Sequence, residues 1–247
     1  SQMTGDENSN YKYKVKQFQA ASPDEIALVK FAEQIGMVLE DREEQFIKIR
    51  DTNGNILNYS ILQIFPFSSE TKRMGIIVRN KETNQIMFYL KGAEMVMEKK
   101  VRPDQRASLT EACEQLAQDG LRTLVISQKE LNEHEYEEFA LNYNRARASL
   151  NDRELQIQTA IESIEDGMEF LAVTGVEDRL QDHVLETIEK FRDAGIQVWM
   201  LTGDKIETAK CIAIATGMKH RSEPVFEIRG DQAMSNFDSF DYKQLID

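Results

Sequence analysis

The chain has 247 residues, of which 41% are hydrophobic, and this is enough to fill the core of one large domain or of one and a half smaller ones. Its 43 acidic residues outnumber its 30 basic ones, so the formal net charge is −13. This charge repels nucleic acids and anionic lipid headgroups at long range, so any phosphate site requires local cations. The sequence has no apolar run near the roughly 18 residues of a membrane-spanning helix. Its two cysteines lie far apart, and we expect them to be reduced.

The first half of the chain predicts one helix and a series of strands. Residues 11–20 alternate like a strand, and Ser22 then begins a helix as its N-cap, with Glu25 completing a capping box and Gly36 ending the helix. Four apolar runs follow, separated by turn residues, and they predict antiparallel hairpins. These runs span residues 46–49, 56–65, 75–78 and 86–90.

The second half changes from charged helices to strand–helix units. Two apolar strands, 170–176 and 196–201, each end in polar residues before a helical pattern. Such units predict parallel strands whose loops share one edge of a sheet. We place a domain boundary near residues 167–170, where the composition shifts. Upstream of it, helical patterns span residues 104–118, 132–150 and 152–165, and a strand pattern spans 121–127.

The strand at 196–201 runs directly into Thr202, Gly203 and Asp204, and a helical pattern follows. A hydroxyl, free amides and a carboxylate at the carboxyl end of a strand, beside a helix N-terminus, are suited to hold phosphate. The alternative is an ordinary strand–helix turn in which Thr202 or Asp204 is the helix N-cap. The tripeptide alone favours that alternative, and the other motifs of the chain favour the phosphate site.

Six motifs, in a fixed order, resemble those of P-type ATPases. Four are similar to motifs of the nucleotide-binding domain and two to motifs of the phosphorylation domain. Residues 174–181 stand where cation pumps carry a proline-bearing motif. Their sequence resembles the corresponding motif of the phospholipid flippase subfamily. Residues 64–67 and 72–79 are most similar to its endosomal and Golgi branch. The six motifs are residues 22–25, 67–74, 91–93, 119–124, 174–181 and 202–204.

The resemblance implies an α+β fold in two parts. Residues 1–168 are expected to form an antiparallel-sheet nucleotide-binding domain with flanking helices. Residues 169–247 are expected to form an incomplete α/β Rossmann-like segment, of the haloacid dehalogenase type, that belongs to the phosphorylation domain.

The resemblance also implies a set of nucleotide contacts in the first part. Phe67 aligns with the position that stacks on adenine, and Glu25 is expected to take the edge of the base. Lys72 and Lys91 are cations expected to border the base and the triphosphate, with Gly92 letting the nucleotide approach the backbone. The alternative for Phe67 is a core residue, and the alternative for Glu25 is a carboxylate that only caps its helix. The alternative for both lysines is an ordinary surface position. The remaining expected contacts are Ser69, Arg122 and Thr123, with a salt bridge as the alternative for Arg122.

In the second part, the resemblance implies contacts of Thr202 and Gly203 with the transferred phosphoryl group. Asp204 is expected near the nucleotide and magnesium, and Asp178 and Arg179 are expected to reach the ribose side. A helix cap or an ion pair is the alternative for these charged residues. No set of metal ligands is predicted from residue spacing, and the three histidines are expected at the surface.

The resemblance implies ATP and Mg²⁺ as cofactors, with the magnesium ligands mostly outside this chain. The aspartate nucleophile motif of the family, Asp-Lys-Thr-Gly-Thr, does not occur in the sequence. We therefore expect a monomeric fragment that binds ATP without turning it over. Its parent is expected at the cytosolic face of an endosomal or Golgi membrane, where an aspartyl-phosphate drives phospholipid translocation. The alternatives are the same portion of a cation pump, a soluble phosphatase and a non-catalytic interaction scaffold.

Overall fold

The computed structural model describes residues 22–177, 180–203, 206–220 and 222–227. Contacts divide the chain into two compact units, 1–178 and 179–247. None of the helices in the described ranges is both long enough and apolar enough to cross a lipid bilayer. The strand predicted at residues 11–20 lies outside the described residues.

The first unit is built on an antiparallel seven-stranded sheet whose strands lie side by side in chain order. This order is that of a meander, in which each strand pairs with the next along the chain. The predicted hairpins are therefore confirmed. The strands are β1 Val38–Arg42, β2 Phe46–Arg50, β3 Ile56–Phe65, β4 Arg73–Asn80, β5 Ile86–Gly92, β6 Arg122–Leu131 and β7 Glu169–Val176.

Side-chain hydrogen bonds define the hairpin turns. In the β2–β3 turn, Asp51 Oδ1 accepts hydrogen bonds from the amides of Asn53 and Asn55. Hydrogen bonding by Asn55 lowers the pKa of the Asp51 carboxyl. In the β4–β5 turn, Asn80 Oδ1 accepts from the amides of Glu82 and Thr83. Short polar side chains therefore satisfy the backbone amides that the ladders leave unpaired.

One face of the sheet, here called the covered face, packs against helices and forms the core. Every second residue of β4 and β5 faces the helices, and some of these residues, such as Ile77 and Phe88, are fully buried there. The ring of Phe65 is in edge-to-face contact with Phe88, Phe139 and Tyr143, at centroid distances of 5.8, 5.9 and 5.8 Å. The helices of the first unit are α1 Pro23–Gln34, α2 Glu94–Lys100, α3 Arg106–Gln118, α4 Glu133–Ala148 and α5 Arg153–Glu162, with a 3₁₀ turn at Pro103–Gln105.

Strand β7 corrects the prediction of parallel strands. It pairs antiparallel with β6, for example Thr123 with Gly175, and it forms the edge of the same sheet. The apolar pattern located this strand correctly, but a pattern of hydrophobicity does not encode the direction of the neighbouring strand. The strand of the first expected β-α unit is therefore the last strand of the antiparallel sheet.

The start of α1 also differs from expectation. The Ser22 hydroxyl caps the helix by accepting from the amide of Asp24. The Glu25 carboxylate, expected to complete a capping box, accepts instead from Lys91 on β5. The Lys91 ammonium is charged, and it therefore forms a stronger hydrogen bond to a carboxylate than the neutral backbone amide of the N-cap residue does.

The second unit contains α6 Val184–Asp193 and α7 Ile206–Ala215. Gly195 ends α6 in the left-handed conformation at φ 73°. The Arg192 side chain donates to the carbonyls of Gly217 and Met218, at 2.7 and 3.0 Å, and so links the end of α6 to the segment after α7. Residues 196–201, expected as a strand, have no strand pairing, and this expected α/β segment is not confirmed.

Candidate functional site

The second face of the sheet, here called the open face, carries a cavity of about 250 Å³. The sheet curls so that Arg42 on β1 and Ile126 on β6 line the same cavity, although four strands lie between them. Its lining combines apolar residues with a few charges. The lining residues are Glu25, Arg42, Ile47, Ile64, Met74, Gly75, Ile76, Tyr89, Leu90, Lys91 and Ile126.

Strand register explains the apolar floor of the cavity. Met74 pairs with Lys91, and Lys91 pairs with Ile126, so these three residues form one row across β4, β5 and β6. Ile76 and Tyr89 form the next row. Burial raises the pKa of the Tyr89 hydroxyl above its ordinary value of 10.0, so this hydroxyl is a protonated donor at neutral pH with or without the shift. The floor is therefore apolar with one hydroxyl, as in many small-molecule sites.

Charged groups stand at the rim of the cavity. Lys91 Nζ lies 2.5 Å from Glu25 Oε1, and the lysine side chain is 21% exposed. Arg42, at the end of β1, is a second cation and is exposed. Two cations and one carboxylate give this cavity a net positive lining in an acidic protein. Such a lining attracts anions locally.

Helix α1 is attached to strands β5 and β6 of the sheet through two consecutive acidic residues. Glu25 pairs with Lys91, and Asp24 Oδ2 lies 3.3 Å from Arg122 Nη1. The salt bridge that was the alternative for Arg122 is therefore present. No residue of α1 is fully buried, so these ion pairs hold a helix that contributes little to the core.

The segment between β3 and β4, residues 66–72, is here called the rim loop. The Ser68 hydroxyl is hydrogen-bonded to the Thr71 hydroxyl at 2.8 Å, and the Lys72 amide donates to the Ser68 carbonyl at 2.9 Å. Lys72 adopts a positive φ of 50°, which is unfavourable for a residue with a side chain. Phe67 is 60% exposed, so the alternative of a core phenylalanine is wrong.

The rim loop adjoins the cavity but does not line it. Phe67, Ser69 and Lys72 are absent from the cavity wall, whereas Ile64 just before the loop and Met74 just after it are part of that wall. The amide of Ala93 donates to the Lys72 carbonyl at 3.0 Å, which joins the rim loop to the end of β5. The predicted residues Glu25 and Lys91 thus share one hollow, whereas the predicted rim-loop residues are not part of its lining.

Gly92 is tightly packed against the start of β4. A Cβ at this position would lie 2.8 Å from both the Arg73 Cβ and the Lys72 carbonyl oxygen. Any side chain would therefore displace the neighbouring backbone. The close approach that requires glycine here is made by protein atoms, and the expected approach of a nucleotide stays a prediction.

The remaining predicted residues fall in three places. Arg122 and Thr123 begin β6, at the same end of the sheet as Gly92. Thr202 and Gly203 belong to the second unit, and a Cβ at Gly203 would meet no atom within 4 Å. Asp178, Arg179 and Asp204 lie outside the described residues. Among the described residues, no group of three or more His, Cys, Asp or Glu side chains is arranged to hold a metal ion.

Sequence reasoning missed several cavity residues. Tyr89 lies two residues before Lys91, and the period of two along a strand places both on one face, so this residue was within reach of a sequence argument. Met74 and Ile76 follow from the same period once β4 and β5 are paired. Arg42 carries no such signal, because only the curl of the whole sheet brings β1 to the cavity.

Comparison with known proteins gives a consistent result. The family model of the P-type ATPase cytoplasmic domain N matches residues 4–183. The chain is 48% identical over 208 residues to the probable phospholipid-transporting ATPase IIB of Danio rerio, covering 84% of this chain and 18% of that protein. The human protein of the same name is 44% identical over 224 residues, covering 91% and 19%. Phospholipid-transporting ATPase NEO1 of Saccharomyces cerevisiae is 46% identical over 213 residues, covering 85% and 18%. The chain thus spans about a fifth of the length of these relatives.

Proposed function

Since the chain belongs to the P-type ATPases, with most of its length in the cytoplasmic domain N, we propose that the open-face cavity binds the adenine nucleotide ATP. The observation that carries this proposal is the combination of an apolar floor with the Lys91 and Arg42 cations in the lining of one cavity. A purine requires an apolar surface, and its phosphates require cations. Both requirements are met within one hollow of the described residues.

The size of the cavity indicates which part of ATP it encloses. Sites for drug-sized ligands enclose roughly 300–1,000 Å³, and this cavity encloses about 250 Å³. The base and part of the ribose account for that volume, and the triphosphate extends past the rim. Lys91, near the end of β5, and Lys72, the last residue of the rim loop, stand on the side where the phosphates leave the cavity.

Two groups then give the base its orientation. Phe67 supplies an exposed ring at the edge of the cavity, where it stacks on the purine. Glu25 accepts a hydrogen bond from the amino group of adenine, so the ligand shares this carboxylate with Lys91 or replaces that pairing. Arg122 and Thr123, at the start of β6, and Ser69 of the rim loop extend the polar edge toward the phosphates.

For the parent protein, we extend the proposal to phospholipid transport driven by ATP, because the relatives described above bear that name. The segment after β7 belongs to the phosphorylation domain in this proposal; the boundary expected near residue 168 moves to the end of β7, because β7 is part of the antiparallel sheet. In that segment Thr202 and Gly203 contact the transferred phosphoryl group, with Asp204 near Mg²⁺, and Asp178, near the start of the segment in the sequence, reaches toward the ribose. An endosomal or Golgi membrane stays the proposed location. This chain by itself binds ATP without sustained hydrolysis.

Calorimetric titration of the 247-residue chain with ATP tests the proposal. We expect Lys91→Ala to lower the affinity about tenfold, which corresponds to the loss of one charge-assisted contact of about 1.4 kcal/mol. The matched control is Lys99→Ala, which removes an exposed lysine from α2. Equal affinities for Lys91→Ala and the wild type, or no binding by the wild type, would contradict the proposal.

A further inference from the structure

Arg73, the first residue of β4, forms a buried ion pair that the nucleotide site does not use directly. Its side chain is 8% exposed, and its Nε lies 2.6 Å from Glu165 Oε1. Glu165 is 1% exposed and lies between α5 and β7. A buried carboxylate requires charged or hydrogen-bonding partners, because desolvation disfavours its ionised form.

A second cation also contacts Glu165. Lys100, at the end of α2, places its Nζ 2.8 Å from Glu165 Oε2. The carboxylate therefore joins the start of β4 to the end of α2. The two cations have different surroundings, because Arg73 directly follows the rim loop and Lys100 is the last residue of α2. This difference makes Lys100 a comparator for Arg73.

The same arginine touches both segments that carry the proposed nucleotide contacts. Arg73 Nη1 donates to the Thr71 carbonyl of the rim loop at 3.4 Å. Its Cβ would lie 2.8 Å from a Cβ at Gly92, directly after Lys91. Arg73 also follows Lys72, whose φ of 50° persists only if its neighbours are held in place. The guanidinium thus contacts the rim loop, while the Arg73 Cα and Cβ pack against the end of β5.

We propose that Arg73, anchored by Glu165, is a positioning residue that sets the conformation of the rim loop and so the placement of Phe67 and Lys72 at the ATP site. This inference rests on the function proposed above. Arg73 does not line the cavity and acts through its neighbours. Its planar fork is required because one group must serve both a carboxylate and a backbone carbonyl, which a lysine ammonium on a flexible stem does not reproduce.

The test compares Arg73→Lys with Lys100→Met in the 247-residue chain. Both variants weaken the network around Glu165, and we expect both to lower the melting temperature. Only Arg73→Lys is expected to lower the ATP affinity, by about tenfold. The spectroscopic readout is the three-bond coupling between the amide and α protons of Lys72, which reports its φ angle. We expect this coupling to change in Arg73→Lys and to stay unchanged in Lys100→Met.

Glu165→Gln provides a second route if Arg73→Lys does not fold. It keeps the shape of the side chain and removes the charge of the carboxylate closer to Arg73, at 2.6 Å against 3.7 Å for Glu162, so the same loss of affinity and the same change in the Lys72 coupling are expected. Wild-type affinity in these variants, or an equal loss of affinity in Lys100→Met, would overturn the inference and leave the proposed function intact. A wild-type chain that binds no ATP would overturn the proposed function and this inference with it.

Discussion

Lys91 and Glu25 are 66 residues apart in the sequence, and the Lys91 ammonium lies 2.5 Å from the Glu25 carboxylate at the rim of the open-face cavity. The pair joins the first turn of α1 to the end of β5. A nucleotide that enters the cavity meets both charges at once. The carboxylate suits the amino group of a base, and the ammonium suits phosphate.

Glu25→Gln is expected to weaken the preference for ATP over GTP by about tenfold, as measured by calorimetric titration with each nucleotide. A carboxylate accepts from the adenine amino group and repels the carbonyl oxygen that guanine carries there, whereas an amide accommodates both. Asp24→Asn is the matched control, since Asp24 pairs with Arg122. An unchanged preference in Glu25→Gln would show that Glu25 does not face the base.

Phe67→Ala is expected to lower ATP affinity by about tenfold or more, because stacking of a base on an aromatic ring contributes about 1–3 kcal/mol. The melting temperature should stay close to that of the wild type, since the ring is 60% exposed. Phe31→Ala is the matched control, because Phe31 is 58% exposed on α1. If both variants bind ATP equally well, Phe67 is not the stacking residue.

Arg42→Ala is expected to lower the affinity for ATP more than that for adenosine, because the arginine contributes charge at the rim. The difference should shrink at high salt, which screens exposed charges. Arg153→Ala, which removes an exposed arginine from α5, is the control. Titrations of both nucleoside and nucleotide at two salt concentrations measure the effect. Equal losses for adenosine and ATP would contradict an electrostatic role.

A pH titration tests the ion pair between β4 and α4. The Arg79 guanidinium makes two hydrogen bonds to Glu133, at 2.7 and 2.8 Å, and this holds the pKa of the Glu133 carboxyl below its ordinary value of 4.5. The stability from this pair is therefore present above pH 4.5 and is lost as the pH falls through the lower folded value. Carboxyl carbon shifts of Glu133 should report the low pKa, and Arg79→Gln should restore the ordinary one. A Glu133 that titrates identically in both proteins would contradict the pairing.

The sequence predicted what local patterns encode. The β2–β3 and β4–β5 hairpins followed from apolar runs and turn residues, and the two charged helices near residues 132–165 were also correct. The direction of β7 was wrong, because a half-buried strand carries the same pattern beside either kind of neighbour. Local periodicity therefore located the strands better than it oriented them.

In the candidate site, too, some residues could be identified from the sequence and others only from the fold. Lys91 and Glu25 were named through the family resemblance, and the curled sheet brings them to one hollow. Arg42 was missed because its place depends on the curl across several strands. The Arg73–Glu165 pair was missed because it joins residues 92 positions apart, and no local spacing predicts such a contact.

Backbone amide shifts of the nitrogen-labelled chain during an ATP titration show directly whether the open-face cavity binds the nucleotide. We expect saturable shift changes at Glu25, Met74, Tyr89 and Ile126, which line the cavity, and small changes around Leu109 and Phe139 on the covered face. Changes confined to the covered face, or none at any ATP concentration, would contradict the claim that the open-face cavity binds the nucleotide.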